Sequence, residues 1–173
     1  MEQQNTPLVT QSIEMNTDTV KKIELTQIEK ENFFKSIMAD KPYEETVELF
    51  DGQFKIRFRS MTVKENGDIV NQIVADKKND VAQDNDSYFI TISTYRLAVG
   101  LLTINNENYS QITADNFMPT NEKDTYILAR ARPMQAWPTA KLAFFLDAFR
   151  KFEAKVVKLS EEVFTSNFWK ASA

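Results

Sequence analysis

Apolar and charged residues alternate along residues 44–59, and this is the clearest pattern in the chain. An alternation with a period of two is typical of a β-strand that buries one face. Asp51-Gly52 lies at the centre of the segment and favours a two-residue type I′ turn. The pattern therefore predicts a β-hairpin, and the turn fixes its register. The predicted cross-strand pairs are Phe50–Gln53, Leu49–Phe54, Glu48–Lys55, Val47–Ile56, Thr46–Arg57, Glu45–Phe58 and Glu44–Arg59.

This register gives the hairpin one mostly apolar face and one charged face. On the charged face two glutamates lie opposite a lysine and an arginine, and each such pair stabilises a sheet by about 0.2–1 kcal/mol. We therefore interpret Arg57 and Arg59 as solvated cross-strand partners rather than as ligands for a bound anion. Phe50 is the exception, because it falls on the charged face beside the turn. Either a neighbouring helix or arm covers it, or it contacts a partner.

Apolar residues three and four positions apart predict helices on both sides of the hairpin. A short helix around Phe33–Met38 is expected to stop before Pro42, because the residue before a proline avoids helical angles. After the hairpin, Thr62 and Glu65 have the spacing of a capping box, which predicts a helix to about residue 77. An interior glycine weakens this helix and allows a break at Asn66-Gly67. Its predicted buried face comprises Val63, Val70, Ile73 and Val74.

The middle of the chain is expected to contain a central buried helix and a shorter one. Tyr88, Ile92, Tyr95, Val99 and Leu102 follow a helical spacing, although "YFITIS" also suits a strand. A loop follows, and Thr120-Asn121 is a plausible N-cap for a helix that reaches about Ala131. Pro133 and Trp137-Pro138 are expected to interrupt the chain after it.

The longest predicted helix lies near the C-terminus and has one continuous apolar stripe over about 22 residues, or six turns. The stripe comprises Leu142, Phe145, Leu146, Phe149, Phe152, Val156, Leu159 and Val163. Such a stripe is usually core. Phe164, Phe168 and Trp169 continue the apolar character close to the end of the sequence, where few aromatics are expected unless they dock. This tail either folds back or offers an apolar surface to another chain.

These elements predict an α+β fold that is mainly helical. In this fold the β-hairpin packs against a small helical body that ends in a long C-terminal amphipathic helix. Residues 1–28 are polar and lack periodicity, so we expect a flexible N-terminal arm, and a short strand at "VKKIEL" stays open as an alternative. Residues 29–173 are expected to form a single domain.

The composition of the chain argues against several classes of function. The 173 residues are 42% hydrophobic with a net charge of -4 and a pI near 5.0, so a nucleic-acid partner is a poor expectation. The chain has no Cys and no His, which removes disulfides, zinc fingers and thiol nucleophiles. "LAVGLLTI" is far shorter than the roughly 20 residues of a membrane helix, and the first 30 residues lack a secretory h-region. A soluble cytoplasmic protein without membrane contact is expected.

No motif for catalysis or for a cofactor is present. The chain has only 3 Gly and lacks the glycine-rich phosphate loops and the G-x-S-x-G motif. The adjacent carboxylates Glu44-Glu45 and Glu161-Glu162 point in different directions on a strand or a helix, so they do not form an acid–base pair. Asp84, Asn85 and Asp86 lack the glycine and distal glutamate of a calcium loop. We therefore expect no enzyme activity, no cofactor and no metal site.

Two segments together resemble a known family. "NFFKSIMADKPYEETVELFDGQFKIRFRSMT" and "AFRKFEAKVVKLSEEVFTSNFWKASA" are similar to the bacteriophage tail assembly chaperones of long-tailed phages. The similarity lies in the order of a short helix, a Lys-Pro step, the hairpin, a helical body and a closing helix near "NFW". It covers between a third and a half of the chain. The N-terminal arm and the charged insert "DKKNDVAQDND" have no counterpart in it.

The resemblance implies a non-catalytic protein that binds the helical, apolar-rich tape measure protein. Such a chaperone keeps this client soluble in the host cytoplasm while tail tube protein polymerises around it, and it is absent from the mature virion. The major tail (tube) protein and self-association are further implied contacts. The expected partner-binding residues are Phe149, Phe152, Phe164, Phe168, Trp169 and Phe50.

Two other functions stay open at this point. The first is a structural component of the phage tail or baseplate, which would be found in purified particles. The second is a small nuclease or another metal-dependent enzyme, which would need Asp and Glu side chains clustered closely enough to hold a divalent cation.

Overall fold

A computed structural model describes residues 23–79, 85–121 and 123–165. It contains helices and one small antiparallel sheet, so the predicted class, α+β and mainly helical, is confirmed. The helices are α1 (Gln27–Met38), α2 (Val63–Lys78), α3 (Asn85–Gly100), α4 (Tyr126–Gln135) and α5 (Thr139–Val163). The strands are β1 (Glu44–Leu49), β2 (Phe54–Arg59), β3 (Leu101–Ile104) and β4 (Glu107–Asn108), in the sheet order β1-β2-β3-β4.

The predicted hairpin register is confirmed for all six pairs from Leu49–Phe54 to Glu44–Arg59. The amide of Gln53 donates to the carbonyl of Phe50 at 3.1 Å, and Asp51 and Gly52 have φ values of 55° and 82°, as a type I′ turn requires. Phe50 itself has a φ of 52° and lies outside the ladder. The strand thus ends at Leu49, one residue earlier than predicted, and Phe50 belongs to the turn.

The charged face of the hairpin matches the prediction only in part. Lys55 pairs with Glu48 at 2.7 Å, as expected. Arg57 instead donates to Glu44, its diagonal neighbour. Arg59 lies opposite Glu44 in the ladder, as predicted, but the expected ion pair between their side chains is wrong, because the Arg59 guanidinium donates to Glu65 at 2.9 Å. Glu65 is already held in place by the capping box at the start of α2, so it offers Arg59 a pre-positioned carboxylate.

The core lies between the sheet, α3 and α5. Ring contacts show how α5 crosses the hairpin: Phe58 on β2 meets Phe149 at 5.3 Å and Phe152 at 5.6 Å between ring centroids. On the other side, Leu97, Ala98 and Val99 of α3 are fully buried. The predicted central buried helix is therefore present, but it ends at Gly100, and Leu102 belongs to β3 rather than to the helix.

The predicted buried face of α2 is wrong except at Ile73. Val63 is 91% exposed and Val74 is 46% exposed, and Val70 is also exposed. The buried side instead carries Ile69 and Ile73 beside two polar residues, Gln72 and Asp76. The hydropathy pattern predicted that the valine side of the helix is buried. It contains no sign that Gln72 and Asp76 form hydrogen bonds in the interior. The capping box at Thr62 and Glu65 is confirmed, and the helix runs unbroken through Gly67.

The start and end of α4 differ from the prediction. Its N-cap is Thr125, which accepts from the amide of Leu128 at 3.3 Å, and not Thr120-Asn121. The expected break at Pro133 is wrong, because α4 continues through this proline to Gln135. A proline so close to a helix end removes only one late hydrogen bond, which the packing of α4 can offset. The break occurs at Trp137-Pro138, where Pro138 takes the N-cap position of α5.

The long C-terminal helix is confirmed as α5, with 25 residues. Six members of its predicted stripe are buried, and Leu142 and Val156 are half-buried. At the other end of the chain, α1 begins after a capping box formed by Thr26 and Glu29. It therefore includes the last residues of the predicted arm, and residues 23–25 form no strand. Residues 1–22 of that arm lie outside the described residues.

Candidate protein-binding surfaces

The four predicted partner-binding residues that the structure describes occupy two different environments. Phe149 and Phe152 are 2% and 3% exposed, so they are core residues whose rings reach only the floor of the grooves described below and are not exposed contacts. The aromatic contacts with Phe58 explain why, since α5 packs these rings onto the sheet. Phe50 and Phe164 are 69% and 67% exposed, which suits a contact surface. The predicted residues Phe168 and Trp169 lie outside the described residues.

One flank of α5 forms a groove with α1, which we call the α1–α5 groove. It has a volume of about 410 Å³. Its apolar lining comes from four parts of the chain and comprises Phe33, Ile37, Tyr43, Met61, Val156 and Val157. Lys41 and Glu161 lie at its polar rim. An open apolar groove between two helices is a common place for an amphipathic helix to dock.

Further apolar residues follow the α1–α5 groove along α5 in both directions. Towards the start of α5, a second cavity of about 180 Å³ shares Met61, Val156 and Val157 with it. This cavity ends at Arg96, which donates to Glu153 at 2.6 Å. Towards the end of α5, Phe164 follows Val157 by two helical turns and therefore lies on the same side of the helix axis. The apolar line is thus longer than a pocket for a small molecule.

Ion pairs fix the distance between the two helices that form the groove. Lys155 donates to Glu29 of α1 and, at 2.7 Å, to Glu45 of β1. Lys30 of α1 pairs with Glu162 of α5 at 2.6 Å. Burial alone would lower the pKa of Lys155, but the hydrogen bonds to the two glutamates outweigh burial and raise it. Lys155 therefore links three elements, α1, β1 and α5.

The opposite flank of α5 forms a second groove with the edge strand, which we call the β1–α5 groove. It has a volume of about 260 Å³, and its apolar lining comprises Val47, Leu49, Phe144, Ala148 and Phe152. At its open end the exposed ring of Phe50 stacks on Phe144, with 6.2 Å between centroids and 16° between planes. Phe50, which the register left unexplained, is therefore only partly covered by a neighbouring helix.

A third cavity of about 400 Å³ lies between α2 and the segment around residues 114–125. Gln72 lines this cavity and belongs to a buried hydrogen-bond network: Gln72 donates to Asp76 at 2.8 Å, and Tyr95 donates to the same carboxylate at 2.6 Å. Thr125 in turn donates to Gln72 at 2.7 Å. Within the described residues, every buried side-chain nitrogen and oxygen has a partner. These hydrogen bonds join α2 to α3 and to the N-cap of α4, so they hold α2 in place.

The ionisable groups predict how stability depends on pH. Burial would raise the pKa of Glu65, but hydrogen bonds from Arg59 and from the amide of Thr62 outweigh burial and lower that pKa. The pKa of Glu29 is lowered in the same way, because its hydrogen bond with Lys155 helps to outweigh burial. Because these folded-state pKa values lie below the unfolded value of 4.5, their stabilisation is complete above about pH 4.5 and is lost as the pH falls further. Burial is the main cause of a raised pKa in four tyrosines, and it raises the pKa of Tyr109 to about 12. The other three are Tyr43, Tyr95 and Tyr126.

We therefore expect a flat stability plateau with an acid and an alkaline limb. A tyrosine whose folded-state pKa is raised stabilises the fold below about pH 10, and this contribution is lost as the pH rises further. With no His and no Cys, no other side-chain type normally titrates between these limits. Urea unfolding from pH 3 to 11 measures this profile, and Glu65→Gln should flatten its acid limb. A fall in stability between pH 6 and 8 would contradict the assignment.

The described residues contain no group of three or more Asp and Glu side chains that could hold a metal ion. Nor does any helix in the described ranges have the length and apolar character needed to cross a membrane.

Sequence reasoning missed Val157 and Met61, which line the groove. Val157 lies off the core stripe of α5, and only its two-turn spacing to Phe164 signals a second apolar line. Met61 lies in the short connection between β2 and α2, and no periodic pattern includes it.

Comparisons of the chain with protein-family models, with curated proteins and with solved structures gave no match in any of the three.

Proposed function

We propose that this protein is a non-catalytic assembly chaperone of a bacteriophage tail, and that its client is the tape measure protein. The observation that carries the proposal is the α1–α5 groove, together with the exposed Phe164 two helical turns after Val157. The groove is apolar, open and elongated, and these properties suit one apolar stripe of a long helix. The choice of the tape measure protein as the client rests on the resemblance of the hairpin and of the closing helix to tail assembly chaperones.

The mechanism follows from the physical chemistry of the groove. A tape measure helix with an exposed apolar stripe would lay that stripe along Met61, Val157 and Phe164. Complete burial of a Val, Met or Phe side chain stabilises by about 1.5–3 kcal/mol, so a few contacts hold a helix without any covalent step. The covered client stripe can then no longer associate with other copies of the client. The net charge of -4 helps to keep the complex in solution.

The proposal predicts that Val157→Glu abolishes protection of the client. A carboxylate in the groove would lose its hydration when the apolar helix docks, so we expect binding to weaken at least tenfold, or about 1.4 kcal/mol. The matched control is Val74→Glu, because Val157 and Val74 are both helical valines with exposures of 48% and 46%. Co-expression with the tape measure protein of the same phage, followed by pull-down and by measurement of the soluble client fraction, tests this.

The possible results separate the alternatives. If wild-type chain leaves the client insoluble, or if both glutamate variants behave alike, the groove is not the binding site. A chain that ends after Thr165 keeps the buried Val163 and removes the predicted contacts Phe168 and Trp169, so it measures what these two residues add. Mass spectrometry of purified phage particles supplies the last criterion, since abundant chain in the particles would indicate a structural component.

A further inference from the structure

β1 is the edge strand of the sheet, and its free side lies next to the β1–α5 groove. Within the described residues β1 pairs only with β2. The carbonyl of Tyr43 accepts from the amide of Ser60, and the carbonyl of Lys55 accepts from the amide of Asn105 on the far side of β2. Because main-chain direction alternates along a strand, the amides and carbonyls of Glu44, Thr46 and Glu48 face the open edge.

The side chains beside this edge indicate what kind of segment fits. On the α5 side an added strand would place alternate side chains over the apolar lining of the β1–α5 groove. The charges on that side are already paired, since Lys155 contacts Glu45 and Lys151 contacts Asp147 at 2.7 Å. Apolar side chains are therefore favoured at those positions.

The solvent side of the same edge favours basic residues. Glu44 and Glu48 have side chains that are 38% and 54% exposed, and within the described ranges their ion-pair partners, Arg57 and Lys55, both come from β2. A lysine or arginine on an added strand would lie directly opposite each carboxylate. A second copy of β1 fits poorly, because antiparallel pairing centred on Thr46 would place Glu44 opposite Glu48.

From these observations we infer that the β1 edge binds an extended segment of a partner protein, with apolar and basic side chains in alternation. The segment adds an antiparallel strand to β1 through the main-chain groups of Glu44, Thr46 and Glu48. This site lies on the other flank of α5 from the α1–α5 groove. The protein would therefore hold two partners at once, one as a helix and one as a strand.

The experiment uses the full chain and a labelled peptide, acetyl-Val-Lys-Val-Thr-Val-Lys-Val-amide. We expect saturable binding below about 1 mM, with amide shift changes at Glu44–Leu49. The same peptide with Glu in place of both Lys should bind about tenfold more weakly, because it brings like charges together. In the chain, Thr46→Pro removes an edge donor without touching the β1–β2 ladder, and we expect it to abolish binding. Circular dichroism checks that this variant folds.

Several results would overturn the inference. They are no binding of the lysine peptide, equal binding of both peptides, and unchanged binding to Thr46→Pro. Slow hydrogen exchange of the Thr46 amide in the free full chain would also overturn it, because the chain's own residues would then occupy the edge. Val157→Glu should leave peptide binding intact and Thr46→Pro should leave client solubility intact, so failure of this inference is distinguishable from failure of the proposed function.

Discussion

Replacing Arg130 with methionine is expected to lower the free energy of unfolding by about 3–5 kcal/mol, and so to lower the Tm by roughly 10 °C. Arg130 is 5% exposed and donates to three main-chain carbonyls, those of Ala98 at 2.6 Å, Ile112 at 2.7 Å and Leu101 at 2.8 Å. Methionine keeps the apolar stem and removes all the donors. The carbonyls of the buried Ala98 and Leu101 and of the half-buried Ile112 then lose this donor, and each buried group left unpaired costs about 1–3 kcal/mol.

Among the described residues Arg130 has no carboxylate as an ion-pair partner, and the position of the three carbonyls explains why the arginine is nevertheless stable here. Ala98 lies in the last turn of α3, where the helix dipole is negative and carbonyls lack partners within the helix. Leu101 begins β3 and Ile112 lies in the following loop, so one planar guanidinium joins three segments. Burial lowers the pKa of Arg130, yet a guanidinium stays protonated at every pH at which the protein would be studied.

Arg132→Met is the matched control for this prediction. It changes the same residue type in the same helix, but the Arg132 side chain is 67% exposed and its contact with Asp124 is long, at 3.4 Å. Such a surface pair contributes about 0–1 kcal/mol. Urea unfolding monitored by circular dichroism should therefore separate the two variants by several kcal/mol. If both variants lose the same small amount, water replaces the guanidinium and Arg130 does not hold these segments together.

The sequence predicted those elements whose residues act on near neighbours. The hairpin register depends on alternation and on Asp51-Gly52, and the start of α2 depends on Thr62 and Glu65. The stripe of α5 is long enough for its period to be unmistakable. All of these signals lie within one element or between two adjacent strands, so a reading of the linear chain captures them.

The parts that the sequence did not predict depend on contacts between distant elements. Gln72 and Asp76 are tolerated in the interior only because Tyr95 and Thr125 come from elsewhere to bond with them. Arg130 similarly appears in the sequence as one more surface arginine. The α1–α5 groove combines residues of α1, α5 and the connection after β2, so Met61 and Val157 become a site only when the fold brings them together.

Gly100→Ala and Gly67→Ala are expected to change stability in opposite directions, although both residues are in helices. At Gly100 an added Cβ would lie 2.5 Å from two ring atoms of Phe149 and 3.2 Å from the carbonyl oxygen of Arg59. The Phe149 ring cannot move aside easily, because it packs against Phe58 and Phe152 in the core. Overpacking of this kind costs about 1–3 kcal/mol.

At Gly67 an added Cβ would meet nothing within 4 Å, so the helix loses no packing there. Alanine in a helix interior is favoured over glycine by about 0.5–1 kcal/mol, and we expect Gly67→Ala to stabilise by that amount. Denaturant unfolding of both single variants measures the contrast. The double variant Gly100→Ala/Phe149→Leu should be less destabilised than the sum of its single changes, because leucine vacates the space of the ring edge. Additive losses, or a stable Gly100→Ala, would show that α5 can shift away from the end of α3.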